Sequence, residues 1–147
     1  MRILFITNEF SHDCLNKTGG IGRFYKEISE EFVSHNHKVF VLGYNKVKFC
    51  LVDRGVSFHI IRKRNFFSNK LSFFSFFINR FLLLVHFLRF VKKNNIDIIE
   101  INDPLTAFFI SFFNKNIPLI IRQHGMQSIL SIMHKKKINK VYYFFEK

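Results

Sequence analysis

The chain has 147 residues, enough for one domain with a single hydrophobic core. Hydrophobic residues make up 48% of it, which excludes a disordered protein, and Cys14 and Cys50 lack the spacing of a metal site or disulfide framework. Residues 1–61 carry eight Lys/Arg and six Asp/Glu, whereas residues 62–147 carry fifteen and four, a net charge of +11. We therefore expect a cytoplasmic protein whose second half favours an anionic partner.

The chain opens with a predicted strand and a helix that begins with glycines. RILFIT (2–7) is a continuous apolar run, typical of a strand buried on both faces. After a polar loop, apolar residues recur from Ile21 to Phe32 with the spacing of one helix face. The Gly-Gly-x-Gly cluster at 19–22 precedes this pattern, and residues without Cβ atoms allow backbone N–H groups at a helix start to approach an anion.

Strands and helices alternate over the rest of the chain. The second predicted strand is 37–43, and the third is 56–61 after the turn Asp-Arg-Gly. A fourth strand at 96–101 precedes a helix at 103–115, with Pro104 at its first position and Asp103 as a candidate N-cap. A fifth strand, 117–125, ends in His-Gly, and 126–147 is helical in pattern with a basic run at 135–137.

Residues 69–94 form the longest apolar segment. Its polar residues recur at the spacing of a narrow helical stripe, and Arg80 interrupts any uncharged run long enough to span a bilayer. We therefore predict a long, mostly buried helix and not a transmembrane span.

Alternating strands and helices predict an α/β fold with a Rossmann-like parallel sheet and helices on both faces. The expected strand order is third, second, first, fourth, fifth, with the order reversing between the first and the fourth strand. Ligands of such sheets bind at that reversal, beside the carboxyl ends of the strands. Asn102, Asp103 and His124 follow strands that end there, and Gly19 and Gly20 open the first helix.

The glycine cluster does not fit a dinucleotide-binding fingerprint. In that motif the glycines form a tight turn directly after the first strand, whereas about ten residues separate Thr7 from Gly19. The second strand also lacks a terminal acidic residue. On the residues alone, the cluster is either an anion-binding loop or a plain helix start, and His124 could be only a polar residue at a strand end.

Three segments in this order resemble the N-terminal domain of GT-B glycosyltransferases of the retaining family 4. They are MRILFIT…GGIGRFYKEISEEFVSHNHKVFVLG, NIDIIEINDPLTAFF and IPLIIRQHG. The resemblance covers essentially the whole chain and implies transfer of a hexose-type sugar from a nucleotide sugar. It implies no separate cofactor and no metal, because the nucleotide sugar is the donor substrate.

The resemblance also implies roles for single residues. Gly19 and Gly20 would bind the donor diphosphate, and His124 would contact the donor sugar as the catalytic position, by orientation and charge stabilisation. Asn102 and Asp103 are acceptor-side candidates, although Asn102 stands where the family often has histidine. Asp103 could instead only cap its helix, and Glu100 is either a polar residue of its strand or an acceptor contact.

A GT-B enzyme has two Rossmann-like domains, and the second supplies most contacts to the nucleotide. No second domain is recognisable in 1–147, so we expect a single, truncated N-terminal domain that is inactive alone. Its partners would be a nucleotide-sugar donor, held through a missing C-terminal domain, and a glycan or lipid-linked acceptor of polysaccharide biosynthesis.

The alternative is a non-catalytic α/β module that docks on phosphate-bearing partners or membranes. Arg62, Lys63 and Arg64 precede Asn-Phe-Phe, and cations beside apolar anchors can bind the inner face of the plasma membrane, at about 1 kcal/mol per cation. The same residues could form an ordinary solvated loop. Nucleic acid is not expected, since the phenylalanines lie in apolar helical runs and not in a stacking platform.

Overall fold

The computed structural model describes residues 1–13, 19–63 and 72–123. Its elements, in chain order, are β1 (Arg2–Ile6), α1 (Gly20–Ser34), β2 (Lys38–Asn45), β3 (Phe49–Asp53), β4 (Val56–Arg62), α2 (Ser72–Asn94), β5 (Ile98–Ile101), α3 (Pro104–Phe113) and β6 (Leu119–Ile121). His124 and the predicted helix over 126–147 lie outside the described residues.

The six strands form one sheet in the order β3-β4-β2-β1-β5-β6. All neighbouring pairs are parallel except β3–β4. The predicted order is confirmed, because the five predicted strands correspond to β1, β2, β4, β5 and β6. The order reverses between β1 and β5, because the chain adds β2 and β4 on one side of β1 and then adds β5 and β6 on the other side.

The strand β3 is missing from the sequence-based prediction. It pairs antiparallel with β4 through a tight turn in which Arg54 has φ 46° and Gly55 has φ 79°. Positive φ at both central residues is the geometry of a type I′ hairpin. A Cβ on Gly55 would lie 2.5 Å from Val33 Cγ1, so the hairpin turn also packs closely against the last turn of α1.

Helices cover both faces of the sheet, as predicted. Successive residues of a strand point to opposite faces, so Phe5 packs with Tyr25 of α1, whereas Leu4 belongs to the core beneath α2 and α3. Leu83 of α2 and Ile110 of α3 are almost fully buried in that second core. The two cores hold the carboxyl ends of β1 and β5 in fixed positions.

The prediction that the long helix is mostly buried is wrong. Leu83 and Phe87 pack on the sheet, but α2 forms the outer layer, and Phe81 and Leu88 on its far side are exposed. Ser75 and Asn79, two polar residues of the stripe, are buried, and Asn79 Nδ2 donates to the Ser75 carbonyl at 2.6 Å. Within the described ranges, no helix is long and apolar enough to cross a membrane.

Candidate functional site

The predicted crevice lies where β1 and β5 end side by side. Ile6 is opposite Ile101 in the register of this parallel pair, so Thr7 and Asn102 leave neighbouring strands at the same level. Thr7 is buried, and Asn102 is half-buried. The structure thus brings the loop after β1 and the Asn-Asp pair after β5 to one edge of the sheet, as the sequence predicted.

Side chains replace backbone pairing where β1 and β2 end. The Thr7 N–H still donates to the Leu42 carbonyl at 3.1 Å. The next β2 amide that faces β1 is that of Tyr44, and it donates to the side-chain oxygen Asn8 Oδ1 at 3.0 Å. Between them, a Cβ on Gly43 would lie 2.2 Å from the Thr7 carbonyl oxygen. Gly43 is therefore required for this close approach, and Asn8 fixes the start of the loop after β1.

A buried ion pair lies at this edge of the sheet, just after β5. Asp103 occupies the N-cap position of α3, but its side chain makes no hydrogen bond to the helix amides. Its Oδ2 instead accepts hydrogen bonds from Arg80 Nη2 at 2.6 Å and Thr106 Oγ1 at 2.5 Å. The phenol of Tyr44 lies near this group, and burial raises the pKa of Tyr44 while Arg80 opposes that rise.

A second ion pair lies on the opposite face of β5. Arg122 donates from Nε to Glu100 Oε1 at 2.5 Å and from Nη2 to Oε2 at 3.2 Å, and the hydrogen bond to Glu100 raises the pKa of Arg122. The guanidinium carbon lies 4.8 Å from the centre of the Phe24 ring. Glu100, whose role the sequence left open, is thus the anchor of Arg122, two residues before His124.

Sequence reasoning missed Arg122, although the strand pattern contained a signal for it. Glu100 interrupts an apolar strand, and a buried carboxylate requires a cation or several hydrogen-bond donors. Arg122 directly follows β6, the next strand along the chain, and β5 and β6 pair side by side, with Glu100 opposite Ile120. A search for a partner of the isolated acid would have found it.

The first turn of α1 lies at the same sheet edge as these groups. Phe24 contacts Arg122, and the Gly22 carbonyl accepts a hydrogen bond from the Ser11 amide at 3.0 Å. A Cβ on Gly19 or Gly20 would meet nothing within 4 Å, and neither residue has a positive φ. Because the first turn has no acidic residue, the positive end of the helix is not neutralised by its own side chains.

Four of the five predicted site residues are among the described residues. Asn102 and Asp103 lie at the crevice, with Asp103 engaged by Arg80. Gly19 and Gly20 open α1 at the edge where the strands end. His124 lies outside the described residues, and within those residues no group of three or more His, Cys, Asp or Glu is arranged to hold a metal.

Comparisons with known proteins agree with this architecture. The sequence matches the family model for Glycosyltransferase Family 4 over residues 18–147. No curated protein matches it. Among solved structures, sucrose-phosphate synthase from Thermosynechococcus elongatus is similar, with a TM-score of 0.74 and 10% identity over 99% of this chain and 39% of that chain. At that identity the likeness shows the fold alone, the Rossmann-like N-terminal domain of GT-B enzymes. The family match covers most of the sequence, and the chain therefore belongs to glycosyltransferase family 4.

Proposed function

We propose that this chain is the acceptor-side domain of a glycosyltransferase that moves a sugar from a nucleotide sugar to a glycan or lipid-linked acceptor. The family membership supports the reaction class. The chain spans 39% of the length of sucrose-phosphate synthase, which leaves room for a separate donor-binding domain in a complete enzyme. Residues 1–147 alone are accordingly proposed to be inactive.

The open N-terminus of α1 is the observation that carries this proposal. Three backbone N–H groups in the first turn of any helix have no intrahelical acceptor, and the helix dipole places positive charge there. The fold itself does not require glycine at 19 or 20, since a Cβ would have open space at both positions. The absence of side chains at 19 and 20 therefore leaves the helix start open to a ligand. A diphosphate is the kind of ligand that such a helix start favours.

The other residues complete the proposed site. His124 would orient the donor sugar and stabilise charge in the transition state, and the Glu100–Arg122 pair would fix the strand end that leads to it. Asn102, half-buried beside the reversal, would contact the acceptor. Asp103 would act through Arg80 by holding the crevice wall, and no residue would require a metal or a cofactor.

The test is sugar transfer in an assembled enzyme. Residues 1–147 would be co-expressed with the C-terminal domain of a compatible family 4 enzyme and assayed with uridine, guanosine and adenosine diphosphate sugars. Gly20→Val places a branched side chain where the N–H groups face the ligand. Losing one or two charge-assisted hydrogen bonds, at about 1.5–3 kcal/mol each, is expected to lower transfer by a factor between about 10 and about 20,000.

Two controls make this test specific. Glu31→Val introduces the same residue at an exposed position in the last turn of α1 and should leave transfer unchanged. The parent chain without the second domain should give no transfer. Full activity of Gly20→Val would show that the loop is only a connector, and turnover by the isolated chain would refute the proposed inactivity.

The charge distribution supports a second candidate function. Residues 62–147 carry a net charge of +11, and Arg62 and Lys63 are exposed at the end of β4. A non-catalytic module could use this surface to dock on phosphate-bearing partners or on the inner face of the plasma membrane. If no combination of donor domain and nucleotide sugar supports transfer, this second function becomes the better explanation of the basic surface.

A further inference from the structure

The outward side of α2 and α3 is unusually apolar for a surface. Six large side chains, 37 to 65% exposed, define what we call the aromatic face: Phe77, Phe81, Leu88, Phe108, Phe112 and Phe113. Between Phe77 and Leu88, His86 is the one polar residue that is partly exposed. Burial and the nearby Lys48 and Arg89 lower the pKa of His86, which favours its neutral form.

The aromatic face is continuous across the two helices. The rings of Phe77 in α2 and Phe109 in α3 meet edge to face, with centroids 6.2 Å apart. Phe108 contacts Phe112 in the same way at 4.8 Å. An open groove of about 370 Å³ runs along α2 beside Phe77 and Phe81, and its lining is almost entirely carbon. Exposed apolar surface of this extent in a soluble domain marks an interaction site.

Cations accompany the aromatic face, and acids do not. Arg89, Lys92 and Lys93 are exposed in the last two turns of α2, and Lys115 is exposed just after α3. Neither helix contains Asp or Glu. The carboxylate directly before α3, that of Asp103, is held by Arg80. Apolar side chains bordered by cations are the pattern of helices that lie in a membrane interface.

We propose that the aromatic face docks on an anionic lipid membrane, with its phenylalanines at the headgroup–acyl boundary and its cations on lipid phosphates. A second copy of the chain is a poorer occupant, because a symmetric contact would bring the four cations of each copy together with no acid on either helix to pair with them. This inference rests on the proposed function, because the membrane bound by the aromatic face is where the enzyme would meet a lipid-linked acceptor.

The test is vesicle binding by the full 147-residue chain, measured by co-sedimentation. One set of vesicles contains phosphatidylcholine alone, and the other also contains phosphatidylglycerol. The parent should bind the anionic vesicles more tightly and should release with added salt. Lys92→Gln with Lys93→Gln should weaken binding about 30-fold, because each cation near such a leaflet contributes about fivefold.

An aromatic variant and a matched control separate insertion from simple charge attraction. Phe81→Ser with Phe112→Ser should weaken binding at least about tenfold, by removing apolar area from the interface. Val47→Ser with Val52→Ser changes two residues of similar exposure, 66% and 71%, in and beside β3, and should bind like the parent. All these positions are on the surface, so far-UV circular dichroism should be unchanged.

Three results would overturn the proposal. These are equal binding to neutral and anionic vesicles, parent-like binding by the aromatic variant, and a parent dimer that Phe81→Ser dissociates in sedimentation velocity. The last result would assign the aromatic face to a second copy. Vesicle binding needs no donor domain, and transfer to a water-soluble acceptor needs no membrane, so this proposal and the proposed glycosyl transfer can fail separately.

Discussion

Asp103→Asn should destabilise the domain far more than its position at a helix start suggests. Arg80 Nη2 lies 2.6 Å from Asp103 Oδ2, and the two side chains are only 8% and 17% exposed. The substitution keeps the shape but removes the charge, which leaves a guanidinium in a poorly solvated place. Breaking a buried pair from one side costs about 3–5 kcal/mol, and the partial exposure of Asp103 favours the lower end, about 3 kcal/mol.

The chain supplies a matched control for this prediction. Arg23 Nε and Glu27 Oε1 are 2.7 Å apart, but the two side chains are 80% and 62% exposed, so Glu27→Gln should change the stability of the domain very little. In urea unfolding followed by circular dichroism, Asp103→Asn should lower the midpoint by about 1–3 M. Replacing both partners, Arg80→Met with Asp103→Leu, should recover much of the loss. Equal shifts for Asp103→Asn and Glu27→Gln would refute the argument from burial.

Two further predictions concern the site and its tyrosines. In the assembled enzyme, His124→Ala should lower transfer while leaving the melting temperature unchanged, and a parent-like rate would remove His124 from the mechanism. Burial raises the pKa of Tyr25, reinforced by Glu100, and also that of Tyr44, so the folded state favours both neutral phenols. The resulting stability is complete below pH ~10 and is lost as the pH rises above it. Phenolate absorbance should show these two tyrosines ionising together with unfolding, and their titration in the folded protein near pH 10 would contradict this.

The parallel part of the fold could be predicted from the sequence because its strands are continuous apolar runs between clear breaks. The edge strand β3 could not, since Phe49 to Asp53 is short, follows two lysines and is only partly buried. The Asp-Arg-Gly turn was recognised, but the strand before it gains its pairing only from β4. The exposed side of α2 could not be predicted either, because an apolar run in the sequence does not show which sides of the helix pack against other elements.

The position of the crevice could be predicted from the sequence, but the ion pairs beside it could not. Strand-end positions and the reversal in strand order located Asn102 and Asp103 correctly. The partners Arg80 and Arg122 lie 23 and 22 residues from the acids they bind, across different elements. Those pairings depend on the packing of α2 against α3 and of β6 against β5. Isolated charges in apolar segments indicate that a partner exists without identifying it.

The strand register also sets the order in which this domain can fold. Among the strand pairs of the described residues, β3 and β4 are joined by a two-residue turn, whereas β1 and β5 bring Ile3 opposite Ile98. Closing a long loop costs chain entropy before any contact compensates it. The hairpin should therefore gain protection early in pulse-labelling hydrogen exchange, and the β1–β5 pair late. The candidate site lies at the carboxyl ends of β1 and β5. A folding chain should therefore lack this site until nearly all of its sheet has formed.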